Sequence, residues 1–91
     1  MMDNNITYVD VRELPAPEPL NMVLEVIDAS APQDVVCMIH RQNPRLLFDI
    51  LKQRGLSFKV TETNETFSIY IWYASNVSAP EIIERDITRV R

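Results

Sequence analysis

The sequence predicts an α+β fold, a two-layer α/β sandwich of the order β-α-β-α-β-β in which a mixed four-stranded sheet carries two helices on one face. Two short apolar segments each lead into a helical pattern, prolines stand at both junctions, and a polar turn joins two final strand patterns. Because crossover connections are right-handed, both helices should pack on the same side of the sheet. We expect one domain over residues 1–75, followed by a tail over residues 76–91 that has the pattern of a short helix.

The first strand and the first helix are separated by alternating prolines. Alternation of apolar and polar residues predicts a strand over residues 6–12, and an apolar stripe at helical spacing predicts a helix over residues 17–30. Proline lacks an amide donor and has a fixed φ, so it suits the first turn of a helix but not its interior. The segment that contains Pro15, Pro17 and Pro19 is therefore predicted to be a rigid elbow.

The next strand and helix follow the same plan. A continuous apolar run predicts a central strand over residues 34–41. Asn43 is the expected N-cap of the second helix and Pro44 its first residue, while Gly55 is placed to end it. The apolar stripe expected to face the core consists of Leu46, Leu47, Ile50 and Leu51.

The last two strands form a predicted hairpin with two distinct faces. They extend over residues 56–63 and 66–73 and are joined by the short polar turn Asn64-Glu65. Alternation along the final strand separates its side chains into two sets. The set expected to meet the helices is Phe67, Ile69, Ile71 and Tyr73, and the opposite set is Ser68, Tyr70 and Trp72. The facing of Cys37 and His40 stays open, because their strand is apolar on both sides.

The sheet face opposite the helices is one candidate binding surface, since aromatic residues concentrate at interfaces. Its candidate residues are Tyr8, Tyr70 and Trp72. A second interpretation is that the tail covers this face. Ser78 and Glu81 have the spacing of a capping box, and the apolar residues that follow could lie over the sheet of the same chain or of a homodimer partner.

Composition excludes several classes of function. A net charge of −4 gives no reason to expect nucleic acid, and a single glycine in 91 residues excludes glycine-rich phosphate loops. One cysteine and one histidine make a poor metal site, and a single cysteine cannot form an internal disulfide. The sequence shows no signal peptide and no apolar stretch of membrane-spanning length. We therefore expect a cytoplasmic protein without a cofactor or a membrane partner.

The elbow also contains a recognisable sequence motif. Asp10 is followed by five residues and then by Ala16-Pro17-Glu18-Pro19. This arrangement resembles the motif of the TusA/SirA/YedF-like sulfur-carrier proteins, in which an aspartate is followed by five residues and then by Cys-Pro-x-Pro. The resemblance implies the same β-α-β-α-β-β fold over roughly residues 6–73, and it places Ala16 at the position of the family's cysteine.

The resemblance also shows what this chain has lost. In the sulfur carriers the motif cysteine begins a helix, where the helix dipole favours a thiolate that can carry sulfur as a persulfide. Alanine has no such chemistry, and Glu13 stands where the family tends to have glycine. These departures resemble an uncharacterised branch of the superfamily, a domain of unknown function that keeps the elbow without the cysteine. The step Asn43-Pro44-Arg45 also looks like that branch, with Gln42 at the position where we would expect a histidine.

Three functional hypotheses follow. The first is a non-enzymatic protein-interaction or regulatory domain that binds a protein partner or a second copy of itself, with an unidentified small ligand possible. The second is a sulfur-relay or redox carrier that uses Cys37, against which stands the tendency of a cysteine in an apolar strand to be buried and inert. The third is an RNA-binding sheet, which the negative charge disfavours. We favour the first, without catalytic residues, and its candidate elbow residues are Asp10, Pro15, Ala16, Pro17, Glu18 and Pro19.

Overall fold

Seven elements follow one another in the computed structural model, which describes residues 6–89. They are β1 (Ile6–Asp10), α1 (Glu18–Ala29), β2 (Val35–His40), α2 (Arg45–Gln53), β3 (Leu56–Thr63), β4 (Thr66–Tyr73) and α3 (Ala79–Arg89). The predicted α+β fold and its β-α-β-α-β-β order are confirmed, and both hairpin strands have their predicted bounds.

The four strands form one mixed sheet in the order β1-β2-β4-β3. Strand β1 is parallel to β2, whereas β4 is antiparallel to both β2 and β3. The turn residues Asn64 and Glu65 have φ values of 50° and 65°, as a type I′ hairpin turn requires. Because β1 and β2 are parallel, their carboxyl ends meet at one edge of the sheet, which brings the segments that lead into α1 and α2 together.

The main core lies between the sheet and the first two helices. Val23 and Ile27 of α1 and Leu47 and Leu51 of α2 are buried in it. The side chains of β4 that contribute to this core are Phe67, Ile69, Ile71 and Tyr73, which confirms the predicted facing of that strand. Strand β2 contributes Val36 and Met38, so Cys37 points to the other side of the sheet.

Helix α3 covers that other side. Ala79 and Ile83 pack against three buried sheet residues, and Ile87 and Trp72 lie at the border of the cluster. The buried sheet residues are Val35, Cys37 and Tyr70. The sequence left open whether the tail covers its own sheet or that of a neighbour, and in this structure α3 packs on its own chain. The domain therefore has three layers, with α1 and α2 on one face of the sheet and α3 on the other.

Two local predictions for α2 are wrong. The helix begins at Arg45 after Pro44 in the N-cap position, and Pro44 has a non-helical ψ of 76°. Asn43 therefore does not cap the helix with its side chain, and its backbone carbonyl accepts a hydrogen bond from the Arg45 N–H instead. Leu46 is 67% exposed, because the line of the helix that meets the sheet passes through Leu47 and Leu51, four residues apart.

Candidate functional site

The elbow between β1 and α1 is held by backbone hydrogen bonds. The Val11 N–H donates to the carbonyl of Ile39 at 2.9 Å, which continues the pairing with β2 beyond the end of β1. The Leu14 N–H then donates to the Val11 carbonyl, and the Glu18 N–H to the Pro15 carbonyl, so two tight turns follow in succession. The Ala16–Pro17 peptide bond is cis. This path leaves Ala16 exposed immediately before the helix.

The first turn of α1 explains two of the predicted elbow residues. Pro17 occupies the N-cap position, where no side chain caps the helix, and the ring of Pro19 is buried against the core. Glu18 is exposed and lies in the first turn, where its negative charge is favourably placed at the positive end of the helix dipole. A contribution to helix stability is therefore sufficient to explain Glu18.

A cleft of about 300 Å³ separates the elbow from the residues that follow β2. One wall is apolar and comes from the elbow and the start of α1. It consists of Leu14, Pro15, Ala16, Pro17, Pro19 and Leu20. The polar wall consists of Arg12, which belongs to the elbow, and of His40, Arg41 and Gln42 at the end of β2. The two walls meet here because β1 and β2 are parallel neighbours that end at the same edge.

Two exposed ion pairs hold the arginines of the cleft. Arg12 donates to Asp10 from Nε at 2.9 Å and from Nη2 at 2.7 Å, and its backbone N–H donates to the same carboxylate. These hydrogen bonds from Arg12 lower the pKa of Asp10 to about 2. Arg41 donates from Nη2 to Glu13 at 2.9 Å, and both of these side chains are largely exposed. Asp10 thus fixes the orientation of Arg12, whereas the Arg41–Glu13 pair is open to water.

His40 is held in its neutral form on the polar wall. Its Nδ1 accepts hydrogen bonds from the backbone N–H groups of Arg41 at 2.8 Å and of Gln42 at 3.4 Å. Partial burial also lowers the pKa of His40. Because Nδ1 is the acceptor, the proton of the neutral ring is on Nε2, which makes that atom a hydrogen-bond donor.

A second, wider cleft of about 560 Å³ continues from the first one and shares Arg12 and Arg41 with it. Its outer part is formed by the β3–β4 turn. The residues of that part are Glu62, Asn64, Glu65, Thr66 and Phe67. The two arginines are therefore common to both clefts, of which the first also has the apolar wall and the second has two carboxylates.

The face under α3 has a different kind of polar cluster. Asp86 of α3 is 3% exposed and accepts hydrogen bonds from the hydroxyl groups of Tyr8 at 2.5 Å and of Tyr70 at 2.7 Å. Arg89 lies 3.4 Å from the same carboxylate. Burial, followed by the hydrogen bond to Asp86, raises the pKa of Tyr8 to about 12 and that of Tyr70 further. Asp86 thus ties α3 to two strands of the sheet.

Cys37 lies in the same covered layer. Its side chain is 2% exposed, and burial raises the pKa of its thiol to about 12. The nearby carboxylate of Asp86 acts in the same direction. Thiolates rather than thiols are nucleophilic, so this environment suppresses the reactivity of Cys37.

The structure brings together most of the predicted elbow residues, and it places the three predicted aromatic residues on the sheet face that α3 covers. Pro15, Ala16, Pro17 and Pro19 line the cleft, while Asp10 acts behind it through Arg12, and Glu18 does not line it. On the other face, Tyr70 is 4% exposed and Trp72 is half-buried beside α3. Tyr8 keeps 51% of its surface exposed, although its hydroxyl is bound to Asp86. The binding role of these three aromatic residues stays a prediction.

A comparison with known families bears on the part of the chain that contains the cleft. The model of a family described as "Uncharacterized conserved protein (DUF2249)" matches residues 8–72. The chain belongs to the DUF2249 family. No curated protein and no solved structure matches it.

The DUF2249 match extends from β1 to β4 and includes every residue of the elbow cleft, whereas α3 lies beyond it. Within residues 6–89 of this DUF2249 protein, no helix has the length and apolar character needed to cross a membrane. The same residues contain no group of three or more His, Cys, Asp and Glu side chains that could hold a metal ion.

Sequence reasoning missed the two arginines of the cleft and the burial of Asp86. Arg12 and Arg41 are 29 positions apart in the sequence and come together through the parallel pairing of β1 with β2. That pairing, once predicted, could have placed the residue after each strand at a common edge. Asp86 stands beside charged residues in the sequence, and its contact with Tyr8 bridges 78 positions, so no local pattern marks it.

Proposed function

We propose that this DUF2249 protein is a non-enzymatic interaction or regulatory domain that docks onto a protein through its elbow end. The observation that carries the proposal is the cleft beside Ala16, which has an apolar wall and a polar wall with two arginines. Concave sites lined by apolar residues and a few polar groups are typical of binding sites. The partner is another protein or a second copy of this chain, and neither nucleic acid nor a membrane is part of the proposal.

A relationship to the TusA/SirA/YedF-like sulfur carriers is part of this proposal. It is supported by the spacing from Asp10 to Ala16-Pro17-Glu18-Pro19 and by the β-α-β-α-β-β order of the domain. In the sulfur carriers, this end of the fold meets the enzymes that donate and accept sulfur. A relative with alanine at the cysteine position can keep the docking surface while losing the transfer chemistry.

The alternative of a sulfur or redox carrier acting through Cys37 finds little support in the packing. The thiol is buried beneath α3, and its pKa of about 12 keeps it protonated at neutral pH. Docking through the aromatic sheet face is also disfavoured, because α3 of the same chain occupies that face. A cytoplasmic location stays an expectation of the sequence.

Native mass spectrometry of the full chain, isolated gently from its own cells, tests the proposal. We expect an unmodified chain in complex with a protein or with a second copy, and we expect the complex to be lost when Ala16→Trp fills the cleft. The matched control is Thr88→Trp, an exposed position on α3 far along the chain from the cleft. A complex that survives Ala16→Trp would contradict docking at the elbow. An added sulfur atom that disappears with Cys37→Ala would instead establish the carrier function.

A further inference from the structure

The elbow cleft combines two chemical surfaces in a space suited to one or two side chains. Leu14, Pro17 and Leu20 belong to its apolar wall, and Arg12, His40 and Arg41 line the same cleft. No Asp or Glu within residues 6–89 lines this cleft. A volume of about 300 Å³ is at the lower end of the range for ligand pockets, which suits a short recognition element better than a large cofactor.

The two arginines keep donors available for a ligand. A guanidinium has five N–H donors, and the contacts of Arg12 with Asp10 use its Nε and one Nη, so the second Nη is free of that carboxylate. Arg41 is paired with Glu13, but both side chains are largely exposed, and exposed ion pairs of this kind contribute little to stability. A carboxylate from outside can therefore join Arg12 and replace Glu13 at Arg41.

The neighbouring cleft determines where such a carboxylate can lie. It shares Arg12 and Arg41 with the elbow cleft, and its outer part carries Glu62 and Glu65. Like charges repel, so an anionic group is favoured between the arginines and disfavoured toward the β3–β4 turn. Two clefts that share the arginines suit a chain segment that places one side chain against the apolar wall and the next at the arginines.

We propose that the elbow cleft binds an extended segment of a partner protein in which a bulky apolar side chain stands next to a carboxylate. The apolar side chain packs against the proline and leucine wall, and the carboxylate accepts hydrogen bonds from Arg12 and Arg41. The Nε2–H of His40 supplies a further donor on the same wall. This inference rests on the proposed docking function and specifies the chemistry of the docked segment.

A random peptide library displayed on phage and selected against the full chain tests this inference. We expect enriched peptides to contain an Asp or Glu beside a large apolar residue, and we expect their affinity to fall as the salt concentration rises. Arg41→Glu should weaken their binding by at least about tenfold, because it places like charges together. The matched control is Arg54→Glu, another exposed arginine in an ion pair, with Asp28 at 3.0 Å, and it should leave binding within about twofold.

The outcomes separate this inference from the function on which it rests. Peptides without an acidic residue that lose binding in Ala16→Trp would overturn the proposed chemistry and leave elbow docking in place. Peptides that bind Ala16→Trp as tightly as the wild type, or a library that shows no enrichment, would overturn both. Circular dichroism spectra and urea unfolding of each variant establish that the comparison is made between folded proteins.

Discussion

The elbow cleft and the face under α3 both collect polar side chains, but in opposite environments. At the elbow, Arg41 and Glu13 pair directly at 2.9 Å but are largely exposed to solvent, so their partners are exchangeable. Under α3, Asp86 is buried and holds the hydroxyl groups of Tyr8 and Tyr70. The comparison indicates that the polar groups of the elbow are suited to binding a partner, whereas Asp86 stabilises the packing of α3 on its own sheet.

The sharpest contrast between the two regions is in thiol reactivity. Native Cys37 should react with Ellman's reagent at least about a thousandfold more slowly than a cysteine introduced by Ala16→Cys, because the rise of the Cys37 pKa from 9.0 to about 12 reduces its thiolate fraction by that factor. The introduced thiol is exposed and stands before a helix N-terminus, which favours the thiolate. Stopped-flow absorbance of the released product measures both rates in the one variant.

Unfolding in urea supplies the control for that measurement, since Cys37 should then react as an ordinary thiol. A native Cys37 that reacts within about tenfold of the introduced thiol would show that α3 does not protect it.

The next largest effect is expected from the buried carboxylate under α3. Asp86→Ala removes the acceptor of two tyrosine hydroxyls, one of them on the buried Tyr70, and should lower the free energy of unfolding by about 2–4 kcal/mol. Asp86→Asn keeps one acceptor oxygen and should cost about half as much. Urea unfolding followed by the fluorescence of Trp72, which lies beside the same cluster, measures the change.

The matched control for Asp86 is on the same helix. Arg85→Ala breaks the exposed pair with Glu81 without removing the acidic charge from the first turn of α3, and it should change the free energy of unfolding by less than about 0.5 kcal/mol. Equal effects of the two substitutions would mean that Asp86 does not anchor α3.

Alkaline pH should weaken the covered face and leave the elbow unaffected. The folded-state pKa values of Cys37 and Tyr8 are both about 12, above the ordinary values of 9.0 and 10.0, so between those limits the folded chain retains protons that the unfolded chain has lost. Their contribution to stability is fully present below pH 9 and is lost as the pH rises toward 12. The urea concentration at the midpoint of unfolding should therefore fall over this range. Above pH 10 the midpoint of the Tyr8→Phe variant should fall less steeply than that of the wild type. Parallel dependences of the midpoint on pH would contradict the raised pKa of Tyr8.

The smallest effect is expected at the elbow itself. Glu13→Gln removes the exposed partner of Arg41 and should change the free energy of unfolding by less than about 0.5 kcal/mol, because exposed ion pairs contribute little. Urea unfolding measures this change alongside that of Asp86→Ala. A loss as large as the one expected for Asp86→Ala would show that the pair supports the fold and is not available for exchange with a ligand.

Much of the fold could be predicted because its signals are local. The alternation along β4 separated Ile69 and Ile71 from Tyr70 and Trp72, and each pair lies on the face of the sheet that was predicted for it. The facing of β2 could not be predicted, since a strand that is apolar on both sides has no alternation to interpret. It follows instead from α3, which provides an apolar layer on the second side.

The candidate site could be predicted only in part. The prolines indicated the elbow, because proline restricts the backbone at the position where it stands. The polar wall of the cleft depends on the parallel register that places Asp10 beside Ile39. No sequence pattern near Arg41 predicts this long-range pairing. The exposure of Leu46 likewise depends on which face of α2 packs against the sheet. A helical pattern of apolar residues does not specify the orientation of that face to within one residue.

Site-specific photo-crosslinking in living cells compares the two regions most directly. A photoreactive phenylalanine derivative is placed at position 18, which is exposed beside the cleft but does not line it, in one variant of the full chain and at position 88 in another. We expect protein adducts, or crosslinked copies of the chain, from position 18 well above those from position 88. Adducts that form mainly from position 88, or an absence of adducts at position 18, would contradict the claim that the elbow is the docking surface.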